Sequence, residues 1–131
     1  MPISQRITQV CLFIFAFIAI FGGILQMYLG EPETTPRWDN IHRFMAGIYL
    51  TIGIICCWAA LTIKKQNTLV FLIAIGGFMA ATGRIISISS VGLPEPNSLW
   101  IGYLLPELIV PLILIFTQLK TNSKIKKQQF L

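Results

Sequence analysis

Four apolar runs decide most of what this chain can fold into. They are Val10–Leu29, Phe44–Ile63, Thr68–Ser90 and Leu99–Leu119, separated by short polar breaks. Each has about 20 residues, the length that crosses roughly 30 Å of hydrocarbon as a helix. The composition agrees: 55% of the 131 residues are hydrophobic and only 11% are charged, against about 25% charged in a soluble domain. The chain therefore reads as one polytopic membrane domain with little mass outside the bilayer. The expected fold is all-α, a bundle of four transmembrane helices near residues 7–29, 40–63, 68–90 and 99–119, followed by a basic tail over 120–131.

The charges set an orientation. The formal net charge is +5, but the cations are distributed as a membrane protein would place them rather than as a nucleic-acid site. Arg6, Lys64, Lys65, Lys120, Lys124, Lys126 and Lys127 fall on one side of the four runs with no acid among them. Glu31, Glu33, Asp39 and Glu95 fall on the other, beside Arg37 and Arg43. The positive-inside rule then puts both termini in the cytoplasm. The lysine-rich tail reads as a mobile, solvated segment, with contact to anionic membrane lipid as the alternative.

The breaks are informative in themselves. The first run is longer than the apolar core of a cleaved leader and no small-residue cleavage site follows it, so it reads as a retained helix. Pro32 and Pro36 make Gly30–Arg43 a turning loop, and Asp39 or Asn40 is the expected cap of the second helix. Lys64–Asn67 is a tight turn, which makes the second and third helices antiparallel neighbours. LGEPE after the first run is similar to VGLPEP after the third, and GIYL in the second to GYLL in the fourth. This faint repeat is compatible with two tandem helical hairpins.

Polar residues inside the runs mark the candidate site. Charge in hydrocarbon costs roughly 2.5–3.5 kcal/mol at a helix centre on insertion scales. Arg84 lies well inside the third run and Glu107 inside the fourth. Counted from the same face, they lie about 9 and 12 Å deep, so opposite charges on consecutive helices are at matched depth. Gly77, Ala80, Ser87 and Val91 share the helical face of Arg84, a small-residue face of the kind that packs helices together. Pro106 and Pro111 free the carbonyls of Gly102 and Glu107 and predict a kink. Tyr103 is one turn from Glu107, Asp39 and Arg43 are four residues apart, and Gln26 interrupts the first run. The ligand-binding candidates are Gln26, Asp39, Asn40, Arg43, Arg84, Ser87, Tyr103 and Glu107, lining a polar pocket in the outer half of the bundle. The competing account is a buried ion-pair lock that fixes helix register and is costly to break singly.

Other chemistry finds little support. His42 stands alone, so no histidine metal site is expected, and it reads as an interfacial residue near Asp39. Cys11, Cys56 and Cys57 lie in apolar runs and read as small packing residues. Tyr28, Trp38 and Trp100 read as interface anchors. No phosphate loop, nucleophile elbow or zinc-protease motif occurs, and no cofactor is expected.

The blocks DNIHRFMAGIYLTIG, GGFMAATGRIISISSVGLPEP and PELIVPLIL resemble the recurrent blocks of a bacterial family of small four-helix membrane proteins, the "domain of unknown function 4345" family. The resemblance runs from about Ile7 to Leu119 and rests on the combined spacing of Asp39-Asn40, Arg43-Phe44, Gly47, Gly83-Arg84, Ser87, Gly92, Pro94 and Glu107-Leu108. It implies an inner-membrane protein, more distantly similar to DoxX-like proteins, and carries no activity with it. Three functional readings follow. The first is binding or movement of a lipid or small amphiphile at Arg43, Arg84 and Glu107. The second is a structural or accessory subunit, packed on a membrane partner protein or on copies of itself. The third, ranked last, is a membrane enzyme using Glu107 as acid or base.

Overall fold

The computed structural model describes residues 1–129, and within them every regular element is helical. The helices are α1 (Ile3–Leu29), α2 (Pro36–Leu61), α3 (Thr68–Val91) and α4 (Asn97–Gln129), with a single 3₁₀ turn at Ile63–Lys65 between α2 and α3. All four helices are long and apolar enough to cross a membrane. Helices satisfy their backbone hydrogen bonds internally, the condition that hydrocarbon imposes on a spanning segment.

The chain divides into two compact units. One is Gln9–Thr62, the α1–α2 hairpin; the other joins Met1–Thr8 to the chain from Ile63 onward. In the first hairpin, α1 and α2 run antiparallel with their backbones close together. The Gln9 amide donates to the Ala60 carbonyl at 2.8 Å. A Cβ on Gly53 would stand 2.8 Å from the Ile20 nitrogen, and one on Gly23 would stand 2.8 Å from that of Leu50. Ala16, Ala19, Ala46, Ala59 and Ala60 are buried, so small side chains line this seam, as membrane helix contacts require.

The ends of that hairpin depart from the sequence expectation. α2 starts at Pro36, and its cap is Thr35, whose hydroxyl accepts from the Trp38 N–H at 3.3 Å. Asp39 and Asn40 lie inside the helix rather than at its cap. Proline suits the first helical position because its fixed φ is already helical and its missing N–H would have had no partner. α1 ends at Gly30, whose φ is +63° and whose N–H donates to the Gln26 carbonyl at 3.0 Å. That is the left-handed termination glycine favours.

In the second unit α3 and α4 form an antiparallel hairpin closed by residues 92–96. Its opposite end holds a buried polar seam. Ser4 pairs with Thr121 at 2.7 Å and Thr8 with Thr117 at 2.8 Å, hydroxyl to hydroxyl. The Gln5 amide donates to the Ile63 carbonyl at 3.3 Å. Asn67 stands at the N-cap of α3 but its side chain makes no capping bond; its Oδ1 accepts from Asn122 at 2.8 Å and from Gln118 at 3.2 Å. Ser4 and Thr121 thereby bring the start of α1 to the same end of this unit as the last turns of α4.

Most of the expected basic tail is part of α4. α4 passes through Pro106 and Pro111 and continues to Gln129; residues 130 and 131 lie outside the described ones. Thr121 is fully buried, which anchors the extension, and lysines suit the negative end of a helix.

Candidate functional site

The principal charged cluster lies between α3 and α4. Arg84 Nε donates to Glu107 Oε2 at 2.7 Å, a short charge-assisted contact. Glu107 is buried and Arg84 partly so, with side chains 12% and 30% exposed. Two aromatic rings complete the surroundings. The guanidinium carbon lies 5.4 Å from the Tyr103 ring centre and 5.9 Å from that of Trp100, within the range of cation–π attraction. The two rings meet edge to face at 6.0 Å, and the Trp100 N–H donates to the Glu95 carbonyl at 3.4 Å.

The local sequence explains the arrangement. Trp100, Tyr103 and Glu107 recur at three and four residues along α4, so they share one face. Pro106 and Pro111 remove the amides that would bond the carbonyls of Gly102 and Glu107, leaving those acceptors in the stretch around Glu107. Among the described residues, only Nε of Arg84 is hydrogen-bonded; Nη1 and Nη2 donate to none of them. Ala80, Ser87 and Val91 are exposed, so the small-residue face expected to pack beside Arg84 is open. Side chains this small leave the guanidinium reachable from outside the unit.

The other unit holds a second arginine–carboxylate pair. Arg43 Nε donates to Asp39 Oδ2 at 2.9 Å, and its Nη1 donates to the Met27 carbonyl near the end of α1. Both groups press on Gly30, where a Cβ would stand 2.7 Å from Arg43 Nη2. A cation bonded to a terminal helix carbonyl is a favourable cap, so this pair fastens the end of α1 to the start of α2. Gln26 and Asn40 are exposed. Of the sequence candidates, Arg84, Tyr103 and Glu107 meet within one unit, and Asp39 and Arg43 within the other. Tyr103 contributes its ring to the cluster.

Three features escaped the sequence reading. Trp100, read as an interface anchor, belongs to the Arg84 cluster; its spacing from Tyr103 and Glu107 was the available signal. His42 faces Glu31 at 3.4 Å rather than Asp39, beside an open cavity of about 630 Å³ whose lining includes Glu33, Trp38 and Met45. The polar seam was visible only as Ser4/Thr8 and Thr117/Thr121, each pair four residues apart. Among the described residues, no group of three or more His, Cys, Asp or Glu side chains is placed to hold a metal ion.

A family model described as "Domain of unknown function (DUF4345)" matches residues 6–118. No curated protein and no solved structure matches the chain.

Proposed function

The chain belongs to the DUF4345 family, a domain of unknown function, and we propose that it binds an anionic amphiphile, lipid or small molecule, through Arg84. One observation carries this reading. The guanidinium is held on one edge by Glu107 and flanked by Trp100 and Tyr103, while its two terminal nitrogens remain uncommitted and its side chain is partly exposed. Arginine's planar fork suits bidentate recognition of a carboxylate or phosphate. Glu107 orients the fork, the aromatic rings flank the cation, and the open small-residue face of α3 leaves room for an apolar chain. The cation distribution supports cytoplasmic termini, which in the bacterial inner membrane that the family resemblance implies would set Arg84 in the periplasmic half.

A second reading is favoured by the 2.7 Å contact itself. A buried pair joining consecutive helices also fixes their register, and losing one partner leaves an uncompensated charge. Arg84→Lys separates the two, because lysine keeps the charge but loses the fork. Native mass spectrometry of the protein released in mild detergent should show a discrete anionic adduct in the parent. The adduct should fall at least about tenfold in Arg84→Lys while the variant melts as the parent does, the loss expected when a charged hydrogen bond worth about 1.5–3 kcal/mol is removed. Equal retention by both proteins, or a bare parent, would remove Arg84 as a ligand site and leave the register lock.

A further inference from the structure

The end of the second unit opposite the 92–96 loop collects seven of the chain's ten lysines and arginines. Hydrogen bonds tie three segments together there: Gln5 reaches the Ile63 carbonyl, Ser4 reaches Thr121, and Gln118 and Asn122 reach Asn67. These segments carry Arg6, Lys64, Lys65, Lys120, Lys124, Lys126 and Lys127, all exposed, and no acidic residue. None of these cations forms an ion pair among the described residues. The tail that would have diluted the charge is instead helical to Gln129. Lys120, Lys124 and Lys127 recur at four and three residues and share a stripe, while Gln118 and Thr121 on the same helix are buried. The helical extension beyond the apolar stretch rises about 13 Å, enough to pass through a lipid headgroup layer about 5–8 Å deep.

We infer that this basic end is a docking face for anionic phospholipid headgroups. The occupant is argued from charge and position. A preformed cationic stripe begins where an apolar, membrane-length helix stops, so the nearest phosphates are those of the adjoining leaflet. Such a cluster attracts anionic lipid about fivefold per lysine near the surface, falling off within a Debye length. The face is distinct from the Arg84 cluster, which belongs to the other end of the same helices. It therefore stands or falls separately from the proposed ligand site.

The test uses the full chain in bilayers of equimolar phosphatidylglycerol and phosphatidylcholine, extracted gently, with the retained lipids identified by mass spectrometry. The parent should retain phosphatidylglycerol several-fold over its bulk share, and raised salt should reduce the excess. Replacing Lys120, Lys124, Lys126 and Lys127 by Gln should bring retention to about parity, and replacing them by Arg should restore it. The lysines are exposed, so the melting profile should not change. A parent with no phosphatidylglycerol excess would overturn the inference and leave the face to an acidic soluble partner. So would an excess that survives the Gln set but disappears in Arg84→Lys, because the anionic lipid would then sit at the arginine.

Discussion

The two units solve the same problem, holding antiparallel apolar helices together, by different means. In Gln9–Thr62 the backbones touch. Gly23 and Gly53 have no room for a Cβ, and Gly22 has little, with Tyr49 Cε1 3.3 Å away. In the second unit Gly76, Gly83 and Gly102 have open space where a Cβ would be, and the named contacts are polar: Arg84 with Glu107 between α3 and α4, and the hydroxyl and amide seam at the other end. Lipid supplies no hydrophobic drive for one helix to seek another, so association rests on packing or on hydrogen bonds. Both units bury apolar side chains, Val70, Ala74 and Leu114 among them in the second; the first adds close backbone contact and the second adds polar contacts.

The ion pairs follow this division. Arg43–Asp39 lies within one helix and is exposed, and Arg43 spends a further donor on the end of α1. Exposed pairs at this spacing contribute only a few tenths of a kcal/mol. Arg84–Glu107 joins two helices, is more buried, and leaves two donors unspent. An arginine paired with a carboxylate thus serves as a fastening in one setting and an open cation in the other.

The largest expected effect is therefore in the polar unit. Glu107→Ala leaves Arg84 without its carboxylate, and breaking a buried pair from one side costs about 3 kcal/mol. Reversible unfolding in mixed detergent should show this loss, and Arg84→Ala in the Glu107→Ala background should recover part of it. A cost below about 0.5 kcal/mol, the level of an exposed pair, would break the comparison, because the polar unit would then be held by something other than its polar contact.

Much of this division was out of reach of the sequence. Four helices were legible because run length and composition alone specify a spanning segment. The Arg84–Glu107 contact was legible because two opposite charges at equal depth in consecutive helices have few other partners. The start of α2 was misread because Pro36 is both a loop former and a good first helical residue, and only the Thr35 cap decides between them. The helical end of α4 was misread because lysines signal solvent, not disorder, and the buried Thr121 gives no outward sign in the sequence. Glycine was the most ambiguous residue. GG occurs in both units, at 22–23 and at 76–77, yet only the structure shows that Gly23 meets a neighbouring backbone and Gly76 meets nothing within 4 Å.

That ambiguity gives the second prediction. Gly23→Ala places a methyl 2.8 Å from the Leu50 nitrogen and 3.0 Å from the Ala46 carbonyl oxygen, and neither backbone atom can move aside without moving α2. Overpacking of this kind costs about 1–3 kcal/mol, more than the gain from removing a flexible helical glycine. Gly53→Ala should behave alike, since it meets the Ile20 nitrogen at 2.8 Å. The measurement is the same unfolding series, and a neutral result would mean that the two helices are free to separate without loss.

The smallest effect carries the opposite sign. Gly83 lies inside α3 beside Arg84, and a Cβ there meets nothing within 4 Å. Glycine in a helix interior is less favourable than alanine by roughly 0.5–1 kcal/mol, because it loses more backbone freedom on folding. Gly83→Ala should therefore raise stability by about 0.5 kcal/mol, where the same substitution at Gly23 lowers it. The sign is the informative part. A gain means that the face beside Arg84 is open in the folded protein, as access to the guanidinium requires. A loss of 1 kcal/mol or more, on the scale of overpacking, means that another surface already occupies it. Repeating the measurement over a range of protein concentrations would then separate a second copy of the chain, whose contribution follows mass action, from packing within the monomer. In either of those cases Arg84 would be an interface residue rather than a ligand site.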